Sequence, residues 1–210
     1  MSGEAKGGVR PLRFDTAAAL AVLLFTVAAF GAACGGGEGQ ALPAETPTGT
    51  PTTDLDWTLT LDGLVESPLD LNLDDLRAME RTSEYVELYC VDYPTIAVEK
   101  GNWTGVRLGL LLERAGVSPE AIKIAFYADD DYSTDLTIDT AMREDVIVAY
   151  ERNGVPLDEK VRLVLPGKWG YKWISRLTHI ELVDYDFTGL WESRGYSDDA
   201  GITDGPAGPE

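Results

Sequence analysis

The chain has 210 residues, with 36 Asp and Glu against 17 Lys and Arg, one histidine and two cysteines, for a formal net charge of −19 at pH 7. That charge opposes nucleic-acid binding, which depends on clustered bases. Thiols and imidazoles are too few for an ordinary zinc site, a haem attachment site or a disulfide framework, while 44% hydrophobic residues suffice for one folded domain with tails.

Lys6, Arg10 and Arg13 precede an uncharged apolar run from Thr16 to Ala33. A basic head, an apolar stretch and small residues form an export signal. The run ends Gly31-Ala32-Ala33-Cys34 and is followed by three glycines. This is similar to a bacterial lipoprotein signal, in which Cys34 is freed by cleavage and lipidated; Gly31 stands where that signal carries an aliphatic residue. An uncleaved anchor helix and plain secretion are the alternatives. All three put the rest of the chain outside the cytoplasm, as the basic flank also indicates. Removing residues 1–33 removes three bases and two acids, leaving −20. Residues 34–54, rich in Gly, Pro and Thr, read as a flexible tether. A folded domain is expected over 55–196 and a disordered tail over 197–210.

Within the domain, Trp57–Leu61 alternates and stops at Asp62-Gly63, predicting a strand and turn. Residues 73–79 have helical spacing. Tyr85–Val91 is rich in strand formers and puts Cys90 near a strand end. Val106–Ala115 sets Leu108, Leu111 and Leu112 on one helical face, closed by Gly116. Strands follow at Ile122–Tyr127, Val146–Tyr150, Val161–Leu165 and Leu177–Val183, with a short helix at Ile138–Glu144. Strands outnumber helices without a regular βαβ period, so the fold class is α+β, a mixed β-sheet with short helices.

The single histidine, His179, falls inside a predicted strand and reads as a surface residue. Asp129-Asp130-Asp131-Tyr132-Ser133-Thr134-Asp135 fails as a calcium loop, since positions six and twelve are Thr134 and Thr140 rather than Gly and Glu, and reads as a solvated acidic loop. Cys90 has no intrachain partner if Cys34 is lipidated. It is then buried and inert, cross-linking, or used as a ligand or nucleophile. The charge reverses over residues 160–176, where Lys160, Arg162, Lys168, Lys172 and Arg176 occur with no acid. A strand feeding a glycine-containing loop with interspersed bases suits a phosphate-bearing ligand; a basic surface patch is the alternative.

Together these segments resemble the oxidoreductase molybdopterin-binding domain, the catalytic domain of the sulfite oxidase family. The resemblance runs through Trp57–Val65, Leu73-Asp74-Asp75-Leu76, Tyr89-Cys90-Val91, Trp103-Thr104-Gly105-Val106 with Leu110–Val117, Asp131–Thr134, Val161–Trp173 and Trp191–Tyr196. It implies a sulfite-oxidase-type molybdopterin-binding fold and a molybdenum–molybdopterin cofactor. In it Cys90 is the protein ligand to molybdenum and catalytic. Arg162, Lys168, Gly170, Tyr171 and Lys172 hold the phosphate and pterin end, and Tyr196 lines the substrate pocket. The implied activity is oxo transfer to or from a small substrate, sulfite or an S- or N-oxide. Electrons would pass to or from a separate cytochrome or quinone-linked protein.

The departures from the family pattern are specific. No Asn-containing segment precedes Trp57. Leu157 stands where longer members carry His or Asn, and Ser175 where they carry a lysine. Arg10-Pro11-Leu12-Arg13 lacks the adjacent arginines of the signal by which folded members are exported. The expectation is therefore an extracytoplasmic, membrane-tethered molybdopterin-dependent oxidoreductase. The alternative is a cofactor-free binding or interaction lipoprotein on the same scaffold.

Overall fold

A computed structural model describes residues 57–204. The signal segment, Cys34, the tether and residues 205–210 lie outside the described residues. Among the described residues, no helix is long and apolar enough to cross a membrane.

Among the described residues, ten strands form two five-stranded sheets, connected in part by three short α-helices. The first has the order β2-β1-β10-β5-β6, from β1 (Leu59–Gly63), β2 (Leu69–Leu71), β5 (Lys123–Ala128), β6 (Ser133–Thr137) and β10 (Leu177–Val183). It is mixed: β1 runs parallel to β10, with Thr60 opposite His179, and the other pairings are antiparallel. The second contains β3 (Thr82–Cys90), β4 (Tyr93–Arg107), β7 (Ile147–Arg152) and β8 (Val155–Pro156) in that order, with β9 (Arg162–Val164) also on β7. All its pairings are antiparallel.

Local signals place the helices. Asn72 caps α1 (Leu73–Ala78): its side chain accepts from Asp75 N–H while the Asp75 carboxylate accepts from Asn72 N–H, a reciprocal capping box. Helix α2 (Leu108–Ala115) buries Leu108, Leu111, Leu112 and Ala115, one stripe at helical spacing, and Gly116 ends it at φ 71°. The predicted start at Val106 is two residues early, because Val106 and Arg107 still pair with Val148 and Ile147 of β7. Helix α3 is short, Ile138–Ala141. Both sheets and α2 contribute to one core, with Leu59, Leu61, Phe126 and Ile180 from the first sheet and Trp103, Val148 and Leu163 from the second.

Two departures from expectation bear on the site. The acidic run is not all loop: residues 133–137 form β6 on β5, with Asp135 opposite Ala125. Nor does the disordered tail begin at 197. Trp169 N–H donates to Ala200 C=O at 2.9 Å, Ile202 N–H donates to Gly167 C=O at 3.0 Å, and Ala200 is fully buried. Residues 184–204 thus form a strap lying against the loop after β9, held by side chains, turns and one antiparallel bridge, Lys168 with Gly201, without a strand of its own.

Candidate active site

Cys90 ends β3. The β3–β4 register shifts between Leu88 and Tyr89 and again between Tyr89 and Cys90, so Cys90 pairs with Tyr93 at the hairpin end. Such irregularities re-aim side chains. The thiol is free and half-buried, with Sγ 3.9 Å from Asp92 Oδ2. It lies on the wall of a cavity of about 400 Å³, within the range of small-molecule and cofactor sites.

Four parts of the chain make up the wall. From the β3–β4 hairpin come Leu88, Cys90, Val91, Asp92, Val98 and Glu99. The segment after β9 gives Gly170, Tyr171, Trp173, Ile174 and Ser175, with Arg162 from β9 itself. Asp130 and Tyr132 precede β6, and the strap adds Trp191 and Tyr196. Gly170 lets the hairpin and the loop close up beside the cysteine, because a Cβ there would meet Tyr89 O at 3.0 Å and Leu88 Cδ2 at 3.1 Å.

One face of the cavity is aromatic. Tyr196 sits edge-on to Tyr171 at 5.4 Å and to Trp191 at 5.2 Å. Tyr171 Oη donates to Ser197 C=O at 2.6 Å, and Tyr132 Oη donates to Tyr171 C=O. Burial, reinforced by the Glu192 carboxylate, pushes both the Tyr132 and Tyr171 hydroxyls well above the usual phenol range. They stay protonated and serve as donors.

The polar side of the cavity centres on Arg162. Its guanidinium lies over Trp103, donates from Nη1 to Glu99 Oε1 at 2.8 Å, and has Nε 3.1 Å from Glu159 Oε1. That second contact is an ion pair without hydrogen-bond geometry, so the buried Nε–H has no acceptor. Glu99 also pairs with Arg152, which covers the same indole. The lining residues hold three carboxylates, Asp92, Glu99 and Asp130, against the single base Arg162.

The structure thus brings five of the expected residues, Cys90, Arg162, Gly170, Tyr171 and Tyr196, to one cavity, and leaves two outside it. Lys168, expected on the cofactor, pairs with Asp199 at 2.7 Å beside a separate cleft of about 100 Å³. Lys172, also expected there, is turned away: 1% exposed, its ammonium meets Asp135 Oδ1, Glu192 Oε1 and Asp198 Oδ1 at 3.2, 2.7 and 3.3 Å. Both bases answer carboxylates that the local sequence did not show to be near. The positions that depart from the family pattern divide as well. Ser175 lines the cavity, whereas Leu157 packs against the core. Sequence reasoning missed the carboxylates Asp92, two residues from the cysteine, and Glu99, which the pairing of β3 with β4 brings to the same cavity.

His179 is elsewhere, on the first sheet, with Nε2 2.7 Å from Asp62 Oδ1 and its ring stacked on Tyr127. Asp129 and Asp130 pair with Arg176. Among the described residues no group of three His, Cys, Asp or Glu side chains could hold a metal ion. A metal at Cys90 would therefore take most of its donors from its own cofactor. The site suits such a group: an accessible soft thiol, an orphaned buried guanidinium N–H, a side-chain-free Gly170 and a cavity of cofactor size.

A family model described as the oxidoreductase molybdopterin binding domain matches residues 46–191. An uncharacterized oxidoreductase, YuiH of Bacillus subtilis, is 32% identical over 145 residues, 67% of this chain and 72% of that protein. Mitochondrial sulfite oxidase of Drosophila melanogaster is 29% identical over 166 residues, 71% of this chain and 29% of that protein. The catalytic subunit MsrP of the protein-methionine-sulfoxide reductase of Gluconobacter oxydans is 29% identical over 163 residues, 65% of this chain and 50% of that protein. The chain thus spans half or less of these last two relatives. Among solved structures, the sulfane dehydrogenase SoxCD of Paracoccus pantotrophus has a similar fold, with a TM-score of 0.57 and 24% identity over 68% of this chain and 41% of that chain.

Proposed function

Because the chain belongs to the oxidoreductase molybdopterin-binding domain family, a molybdenum cofactor is its implied prosthetic group, and we propose that it is an extracytoplasmic oxidoreductase transferring an oxo group to or from a small substrate at Cys90. The observation that carries this reading is the placement of Cys90 on the wall of one cavity together with aromatic and guanidinium groups that come from three separate segments.

When bound, the molybdenum cofactor supplies two-electron redox and oxo-transfer chemistry. The chain's own residues hold and enclose it. Cys90 would be the protein donor to the metal. Arg162, whose Nε–H is ion-paired with Glu159 but makes no hydrogen bond, would offer its guanidinium to an anionic or carbonyl oxygen, a charge-assisted contact. Trp191, Tyr171 and Tyr196 exclude water from one face. The Tyr196 hydroxyl is the donor nearest in kind to what an oxide substrate needs.

Of the three cavity carboxylates, Glu99 and Asp130 are answered by arginines and Asp92 alone is not, so sulfite and an uncharged S- or N-oxide both fit this reading. The basic head, apolar run and Cys34 support a lipid-anchored or helix-anchored protein outside the cytoplasm. A separate cytochrome or quinone-linked protein would carry the electrons.

Protein purified from its native host should contain near-stoichiometric molybdenum and pterin. Cys90→Ser should abolish oxide turnover and lower metal content while leaving the denaturation curve in place. Metal-free native protein with full stability and no redox activity would replace this reading with a binding scaffold.

A further inference from the structure

Behind the aromatic face of the cavity lies a buried ionic cluster, and the chain alternates between the two. Tyr171 is followed by Lys172, Trp191 by Glu192, Tyr196 by Ser197 and Asp198, and Tyr132 stands three residues before Asp135. In each case the aromatic residue lines the cavity while its neighbour points into the cluster. We propose that Lys172 is a positioning residue: through this cluster it fixes the aromatic wall of the cavity rather than holding the cofactor. The part of this that concerns turnover rests on the proposed function; the part that concerns the wall does not.

The cluster has two cations. Lys172 is 1% exposed and meets Asp135, Glu192 and Asp198. It also donates to the Asp135 backbone carbonyl at 3.0 Å. Lys123, on β5, meets Asp135 at 2.8 Å, Asp198 at 2.9 Å and Asp186 at 2.7 Å, and donates to Phe187 C=O at 2.8 Å. Thr134 Oγ1 donates to the Glu192 oxygen that Lys172 also contacts. The four most buried members, Lys123, Lys172, Asp135 and Glu192, balance in charge.

Of the strap's partners, Glu192 follows Trp191 and Asp198 lies two residues after Tyr196, while Asp186 and Phe187 tie down its earlier part. The strap's one β-bridge, Gly201 with Lys168, lies beyond the wall residues, and next to them it approaches β6 closely: Leu190 N–H donates to Ser133 C=O at 2.9 Å, and a Cβ on Gly189 would meet Thr134 Cα at 2.6 Å. The cluster is thus a fastening that seats Trp191 and Tyr196, beside the hydrogen bonds from Leu190 N–H to Ser133 C=O and from Tyr171 Oη to Ser197 C=O. Buried ion pairs are poor general stabilisers but specify one arrangement among alternatives where geometry is enforced. Small displacements of groups lining a reaction site cost much in rate.

Full-length Lys172→Met, Lys172→Arg and Asp198→Asn would be compared with the parent by molybdenum content, near-ultraviolet circular dichroism and steady-state kinetics on a small sulfoxide. The expected result for Lys172→Met is a metal content within a factor of two of the parent, loss of aromatic dichroism, and kcat/KM lower by about tenfold or more. Lys172→Arg should restore much of both signals. Asp198→Asn removes a contact from both lysines at a half-exposed site, so it reports on the wall even where Lys172→Met does not fold, and should weaken the dichroism in part. Loss of molybdenum with unchanged dichroism would assign Lys172 to the cofactor and overturn the proposal, as would unchanged dichroism in both Lys172→Met and Asp198→Asn. Absence of molybdenum from the parent would overturn the proposed function alone, because the dichroism still decides the wall.

Discussion

Replacing Lys172 with methionine also makes a quantitative test of the buried cluster through stability and pH. The ammonium sits among three carboxylates, two of them, Asp135 and Glu192, only 1% and 2% exposed. Removing one partner of a buried ion pair typically costs about 3–5 kcal/mol, because the other charge stays buried and unpaired. Lys123 still neutralises Asp135 and Asp198, so a loss near the lower figure, about 3 kcal/mol at pH 7, is expected. In the parent protein burial already holds the Asp135 carboxyl above its ordinary value of 3.8, against the pull of Lys172 and Lys123. Without Lys172 it rises further. A carboxyl whose folded pKa exceeds its unfolded one binds a proton in the folded state first, so stability falls as pH rises between the two values and recovers as pH falls. Each further unit of rise is worth about 1.4 kcal/mol. Urea denaturation of variant and parent at pH 7 and pH 5 should therefore show a smaller deficit at the lower pH. A deficit below about 1 kcal/mol at pH 7, or one equal at both values, would show that Lys172 does not shield buried ionised carboxylates.

Glu99→Gln should release Arg162 and Arg152 from their shared carboxylate and raise the net charge of the cavity wall. The preference between sulfite and an uncharged sulfoxide should move toward sulfite by about tenfold, read as the ratio of kcat/KM, with little stability change because the pairs are partly exposed. Truncation after Tyr196 removes the Ser197 acceptor of Tyr171, both Asp198 pairs and the buried Ala200. It should lower the melting temperature by several degrees, the equivalent of about 2 kcal/mol, whereas truncation after Asp204 should not.

The parts of the fold that could be read from the sequence are those fixed by local rules. Helix α1 follows from the Asn72–Asp75 box and α2 from its leucine stripe and Gly116. Strand β1 follows from the alternation of Leu59 and Leu61, buried, with Thr60 and Asp62. Strand β6 was hidden because a run of acids reads as solvated; Asp135 is buried only because Lys123 and Lys172, 12 residues before it and 37 after, reach it. Strand β4 was hidden for a related reason. Its first half, from Tyr93 to Val98, is mostly exposed and owes its extension to pairing with β3. The candidate site divides along the same line. A cysteine at a strand end, a glycine beside bulky neighbours and tyrosines near loops can be read in one dimension. The basic segment could not, because its charge is answered by acids supplied from elsewhere: Glu99 to Arg162, Asp199 to Lys168, and Asp135, Glu192 and Asp198 to Lys172.

The parallel pairing of β1 with β10 has a consequence for the order of assembly. Thr60 and His179 are partners across 119 residues of chain, a closure that costs more entropy than a hairpin and is made late. The β1–β2 ribbon has no other neighbour in its sheet, and a ribbon of two strands is marginal alone. A ribosome that has not passed Val183 therefore holds a chain whose first sheet has no centre. Until that strand arrives, Leu59 and Leu61 stay open to solvent or to a chaperone, and the interval in which this domain can be kept unfolded ends with its last strand rather than its first.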